Sequence, residues 1–251
     1  MRFDVITLFP ELISPLFSHG INRRAFESGQ VEVRLTNPRD FAEGQYRRVD
    51  DRPFGGGPGM VMMAQPLQRC VAQVCSEREQ QVDVILFSPI GQALDHDLVV
   101  KIASGPGAIL ICGRYEGLDQ RFIDQNVTHQ ISLGDFVLSG GEIAAMAVLD
   151  AVARLQPGVL HDPESHEQDS FNPLQDGLLD CPHYTRPESW GGMTVPDVLM
   201  SGNHAWINRW RREQRLKTTA IYRPDLIERA RLAGLLSSSD ELVLEKSRTG
   251  L

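Results

Sequence analysis

"DHDLVVKIASGPGAILICGRYEG" (residues 95–117) holds, in one run, the three textures that decide the fold. "DHDLVVKIAS" has the apolar spacing of a helix, and "AILIC" (108–112) is a short apolar run of the kind a buried strand carries. "GRYEG" (113–117) is a glycine-bounded turn at that strand's carboxyl end. The same order recurs upstream: "FDVITLF" (3–9), "VEVRLT" (31–36) and "VDVILFS" (82–88) read as strands, and "PLQRCVAQVCSERE" (66–79) as a helix. Strands alternating with helices predict an α/β fold with a largely parallel sheet, which presents its ligand sites beyond the carboxyl ends of the strands.

Composition fits a globular chain. Of 251 residues, 41% are hydrophobic and 23% charged, and the formal net charge is -8, which argues against bulk attraction to nucleic acid or to an anionic membrane. The four cysteines, Cys70, Cys75, Cys112 and Cys181, form no C-x-x-C pair and read as reduced thiols of a cytoplasmic protein. The first residues lack the apolar core and cleavage site of a secretion signal, and no stretch has the length of a membrane span, so a soluble protein with no membrane partner is expected.

After Leu155 the texture changes. "QPGVLHDPESHEQDSFNPLQDGLLD" (156–180) has three prolines, many acids and no lysine or arginine, which suggests an exposed linker and a domain boundary near residue 160. Beyond residue 195, "NHAWINRWRREQRLK" and "RPDLIERARLAGLL" are helical in period. Residues 206–232 carry eight basic side chains against Glu213, Asp225 and Glu228, an excess of five that reads as a solvated helix face or as a phosphate-backbone contact. Trp206 and Trp210, four residues apart, read as core.

Three glycine-rich stretches stand out: "DDRPFGGGPGM" (50–60), "GRYEG" and "GDFVLSGGE" (134–142). None is a P-loop, and none is a dinucleotide fingerprint. "GDFVLSGGE" carries Asp135 and Glu142 with no cation, a poor setting for pyrophosphate, so a neutral or cationic ligand suits it better. Gly140 and Gly141 read as residues that take positive φ and bring backbone close to an adenine or ribose. The same spacing is also met by a tight entry to the next helix with Ser139 as its N-cap.

Together "VDDRPFGGGPGM", "ICGRYEG" and "LGDFVLSGGE", with "SFNPLQDGLLDCPHYTRP" behind them, resemble the bacterial tRNA (guanine-N1)-methyltransferases, the TrmD family of the SPOUT superfamily. The likeness runs from "ITLFPE" to "SGNHAWINRWRREQ". It implies a SPOUT-type α/β domain (1–160) with a C-terminal trefoil knot, a flexible linker (161–175) and a small helical tRNA-binding domain (176–251). Periodicity shows no knot.

The resemblance further implies a homodimer with a shared active site that uses S-adenosyl-L-methionine to form N1-methylguanine at tRNA position 37, 3′ of the anticodon. Its cofactor would lie against Ser88, Pro89, Gly113, Tyr115, Glu116, Leu133, Gly134, Asp135, Phe136, Val137, Leu138, Gly140 and Gly141. Its catalytic pair maps onto Asp169, in "EQDSF", as general base on N1–H, and Arg154, in "VARLQPG", as the cation that stabilises O6. Asp50, Arg52, Arg114, Asn203, His204 and Arg209 fall to tRNA. Magnesium is a family expectation that no ligand cluster in the sequence marks. The rival readings are a SPOUT ribose 2′-O-methyltransferase and a non-catalytic tRNA-binding protein.

Overall fold

The computed structural model describes residues 1–160 and 164–249, which divide into two compact units, Met1–His161 and Asp162–Leu251. Strands β1 (Arg2–Ile6), β2 (Glu32–Thr36), β5 (Val84–Ala93), β6 (Ile109–Ile111) and β7 (His129–Ser132) of the first unit form one sheet in the order β2-β1-β6-β5-β7. Every pairing in it is parallel. Two further short strands, β3 (Asp50–Asp51) and β4 (Val61–Met62), make an antiparallel pair.

Alternation along the central strands builds two cores. Phe3, Val5, Ile85 and Leu110 turn to one face, while Ile6, Val84, Leu86, Ile109 and Ile111 turn to the other. Both faces are covered, which is why these strands read as unbroken apolar runs. Helix α1 (Ala64–Ser76) covers one face through Leu67, Cys70, Val71 and Val74, a helical stripe. The other face is covered by α2 (His96–Ala103), capped by Asp95 accepting from the Leu98 N–H at 2.9 Å, and by α4 (Glu142–Ala153). Between them in sequence lies α3 (Gln120–Asn126), whose Phe122 joins α1. In α4 the residues Ala144, Ala145, Val148, Leu149, Val152 and Ala153 are all buried, so the helix is apolar around most of its girth.

Strand β7 was not expected from the sequence. "HQIS" is short and half polar, and it becomes a strand by pairing with β5. That pairing is irregular: Phe87 and Gln92 both stand opposite Ile131, so the register shifts across residues 88–91, which bulge from the ladder within β5. A Cβ on Gly91 would meet the Ile131 backbone, so only glycine permits the two passes of chain to lie this close.

In the second unit α5 (His204–Tyr222), α6 (Pro224–Leu232) and α7 (Ser238–Thr249) pack around Leu178, Leu216, Ile227, Ala230 and Leu244. A two-stranded hairpin of β8 (Ser189–Trp190) and β9 (Met193–Thr194) precedes them. Of the expected linker, residues 161–163 lie outside the described residues. The rest is bonded within the second unit: the Asn172 side chain donates to the His166 carbonyl at 2.9 Å and accepts from the Leu174 N–H at 2.9 Å, and the Phe171 N–H donates to the Leu178 carbonyl.

Two expectations are corrected here. Trp206 is 63% exposed rather than core; it sits in the first turn of α5, before the helix reaches the cluster, whereas the half-buried Trp210 packs on Tyr184. The basic excess is also largely paired within the unit, in part by Asp176, Asp180, Asp240 and Glu241, which lie outside residues 206–232. Arg212 pairs with Asp176 and Asp240, Arg215 with Asp180, and Arg231 with Glu228 and Glu241. Arg209 and Arg223 pair with Glu213 and Asp225. Among the described residues no helix is long and apolar enough to cross a membrane.

Candidate active site

Beyond the carboxyl ends of β5, β6 and β7 the first unit opens into a cavity of about 440 Å³. Three loops wall it, and each follows one of those strands or interrupts it: 88–90, 113–118 and 132–141. Every residue expected to hold the cofactor lines it except Asp135. Arg114 lines it too, as do Leu86, Ile90, Leu118 and Ser132, which no sequence motif singled out. Their common signal is position, at or just past the end of a buried strand.

Loop 132–141 is shaped by a few bonds. Ser132 Oγ accepts from the Gly134 N–H and donates to the Gly134 carbonyl, both at 3.2 Å. The Gly141 N–H donates to the Gly113 carbonyl at 3.0 Å, tying this loop to the turn after β6. Among the described residues the N–H groups of Val137, Leu138, Ser139 and Gly140 meet no protein acceptor. A run of open backbone donors with apolar side chains around it is what a flat, hydrogen-bonding ligand requires.

Of the two readings of the adjacent glycines, the tight entry to the next helix holds and the positive-φ one does not. Gly141 has φ -78 and neither it nor Gly140 takes positive φ. They are needed for close packing against protein instead: a Cβ on Gly141 would lie 2.7 Å from the Cys112 Cα, and one on Gly140 would overlap the Arg114 guanidinium. Ser139, however, is not the cap of α4; the N-cap is Gly141, with no side-chain cap bond.

Charge at the site also differs from the local reading. Glu142 is buried, and Arg114 Nη2 lies 2.9 Å from its Oε2, while Thr7 Oγ1 donates to its Oε1 at 2.8 Å. The one arginine of the lining is therefore neutralised by a carboxylate from the same site, and the cavity offers little to a phosphate. Burial pushes the Cys112 thiol well up, with Glu142 adding to the effect, so this cysteine is an inert neutral group. At the mouth, Tyr115 holds a left-handed backbone, φ 60, and burial followed by the nearby Asp50 carboxylate raises its phenol.

Arg154 does not line the cavity. It is the C-cap of α4, whose other end is the cavity lip at Gly141; a helix of 12 residues separates the two, roughly 18 Å at 1.5 Å per residue. Asp169 belongs to the second unit, where its N–H donates to the His166 carbonyl. Asn203 is the N-cap of α5, accepting from the Trp206 N–H at 3.2 Å, with His204 next to it. Arg209 is exposed and Arg52 is exposed beside Asp51.

One group among the described residues has metal-ligand chemistry: Asp180, Cys181 and His183, with ligand atoms within 4.8 Å of one another. Its donors do not fit magnesium, which wants several oxygens. The Asp180 carboxylate already faces Arg215 at 3.3 Å and His183 at 2.8 Å.

A family model described as tRNA (Guanine-1)-methyltransferase TrmD matches residues 1–229. A tRNA (guanine-N(1)-)-methyltransferase of Albidiferax ferrireducens is 68% identical over 244 residues, covering 97% of this chain and 98% of that one. Those of Paracidovorax citrulli, at 65% with 98% of each chain covered, and Herminiimonas arsenicoxydans, at 55% with 97% and 99% covered, are similar over the same span. The chain belongs to the tRNA (guanine-1)-methyltransferase TrmD family.

Proposed function

We propose that the protein uses S-adenosyl-L-methionine to methylate N1 of the guanine at tRNA position 37. The observation that carries this reading is the cavity floor at 137–140, with its open backbone donors and internally neutralised charge. That floor fits an adenosine, which needs hydrogen bonds and apolar contact but no phosphate cradle. The exposed Glu116 carboxylate at the rim suits a sulfonium or ammonium. When bound, S-adenosylmethionine supplies an electrophilic methyl carbon.

Guanine N1 carries a proton and is a weak nucleophile. Asp169 takes that proton as the bond from N1 to the methyl carbon forms and the bond from sulfur breaks. Negative charge then gathers on O6, where the Arg154 guanidinium stabilises it. Since α4 holds Arg154 roughly 18 Å from the cavity lip, the fitting arrangement is a homodimer in which one copy supplies the cavity and its partner the Arg154. A trefoil knot in the first unit follows from the family reading, to which the parallel sheet conforms.

Asp50, Arg52 and the residues at the start of α5, with the exposed Arg209, are assigned to tRNA, and the cytoplasm is the compartment. A ribose 2′-O-methyltransferase would have no use for a base at N1. Replacing the target guanine by adenine, whose N1 has no proton, discriminates: transfer ends on this reading, and continued transfer to that position refutes the N1 mechanism.

A further inference from the structure

The ion pair of Arg114 and Glu142 adjoins the 137–140 loop: Arg114 lines the cavity, and Glu142 is buried beside it. Glu142 is 1% exposed and opens α4; it is anchored to the end of β1 through Thr7. Arg114 reaches three places at once: its Nη2 meets Glu142, its Nη1 donates to the Ser139 carbonyl at 3.2 Å, and its guanidinium carbon lies 4.5 Å from the centre of the Phe9 ring. Gly140 leaves the space in which this guanidinium sits.

The peptide linking Ser139 to Gly140 is planar, so its carbonyl and its N–H point in opposite directions. A guanidinium that fixes the Ser139 carbonyl therefore fixes the Gly140 N–H as well, and this N–H has no protein acceptor among the described residues.

We propose that Arg114 is a positioning residue for the cofactor loop: held by Glu142 and Phe9, it aims the Gly140 N–H at the cavity and keeps the 137–140 donors in binding order. The inference rests on the reading of this cavity as the S-adenosylmethionine site. It differs from a tRNA contact, because the guanidinium is turned to the protein's own loop and carboxylate.

The test uses the full chain with Arg114→Met, Arg114→Lys and Glu142→Gln. Calorimetry measures S-adenosylmethionine affinity without tRNA, kinetics give the KM for tRNA at saturating cofactor, and hydrogen exchange follows the Gly141 amide in the free protein. Arg114→Met is expected to weaken cofactor affinity about tenfold or more, to leave the KM for tRNA unchanged and to speed Gly141 exchange. Glu142→Gln moves the same readouts in the same direction. Arg114→Lys keeps the charge but not the planar fork, and recovers the exchange protection more than the affinity.

Unchanged cofactor affinity in Arg114→Met, or a raised KM for tRNA alone, overturns the proposal. Should the unsubstituted chain bind no S-adenosylmethionine, the cofactor reading itself falls. Gly141 exchange then decides the clamp by itself, and equal exchange in Arg114→Met and the parent protein rejects it.

Discussion

Gly141 lies so close to Cys112 that a Cβ on the glycine would stand 2.7 Å from the cysteine Cα. Backbone on both sides leaves no flexible atom to yield, so the start of α4 and the turn after β6 are registered against each other by the absence of one methyl group. Gly141→Ala should destabilise the protein by about 1–3 kcal/mol through overpacking and weaken S-adenosylmethionine binding as the loop shifts. Melting and calorimetry on one preparation check this, and an alanine variant with native affinity and melting would show that the contact is easily relieved.

Asp169→Ala should lower turnover by about 10²-fold or more, the usual contribution of a general base. Cofactor binding should survive, since the cavity belongs to the first unit. Near-normal turnover removes Asp169 from the base role.

The separation of Arg154 from the cavity lip gives a complementation test. In a two-fold dimer whose site takes its cavity from one copy and Arg154 from the other, a mixed pair of Gly141→Val and Arg154→Ala chains contains one intact site. Equal mixing after dissociation should restore about a quarter of the parent activity, by statistics for a closed dimer. Failure to restore any would place Arg154 and the cavity of its own chain in the same site.

Acid should loosen the second unit. Burial of Asp240 acts to raise its pKa, but the hydrogen bonds from Arg212 and Ser237 outweigh it and hold the carboxyl below its ordinary value; Asp180 is likewise held low against burial by the Cys181 N–H, His183 and Arg215. A group with a depressed folded pKa contributes stability above its unfolded pKa of about 3.9 and loses it as pH falls through the folded value. Thermal stability of the full chain should therefore decline below about pH 4. Asp240→Asn should cost about 2 kcal/mol near neutrality and flatten that decline; an unaltered pH profile would contradict the assignment.

What the sequence disclosed followed the range of the forces involved. Strands with both faces buried announced themselves as apolar runs, so the parallel α/β order was legible from residues 3–9, 82–88 and 108–112. β7 was not, because a strand made of His129, Gln130, Ile131 and Ser132 owes its form to pairing with β5. The glycines of 140–141 signalled close approach, but their neighbours, Arg114 and Cys112, are contributed from 26 or more residues away in the chain. Arg212 reads as a free cation in its own helix and is paired with Asp240 only once α7 folds back on α5. Arg154 and Asp169 have no local signature at all, and only the family motifs single them out.

The most direct measurement is the identity of the methylated atom. Unmodified transcript tRNA is incubated with the protein and labelled S-adenosylmethionine, digested, and its nucleosides are separated and sequenced by mass. The account predicts N1-methylguanosine at position 37, absent when Asp169 or Arg154 is replaced; a methyl on a ribose 2′-oxygen, on another position, or on no nucleoside at all would contradict it.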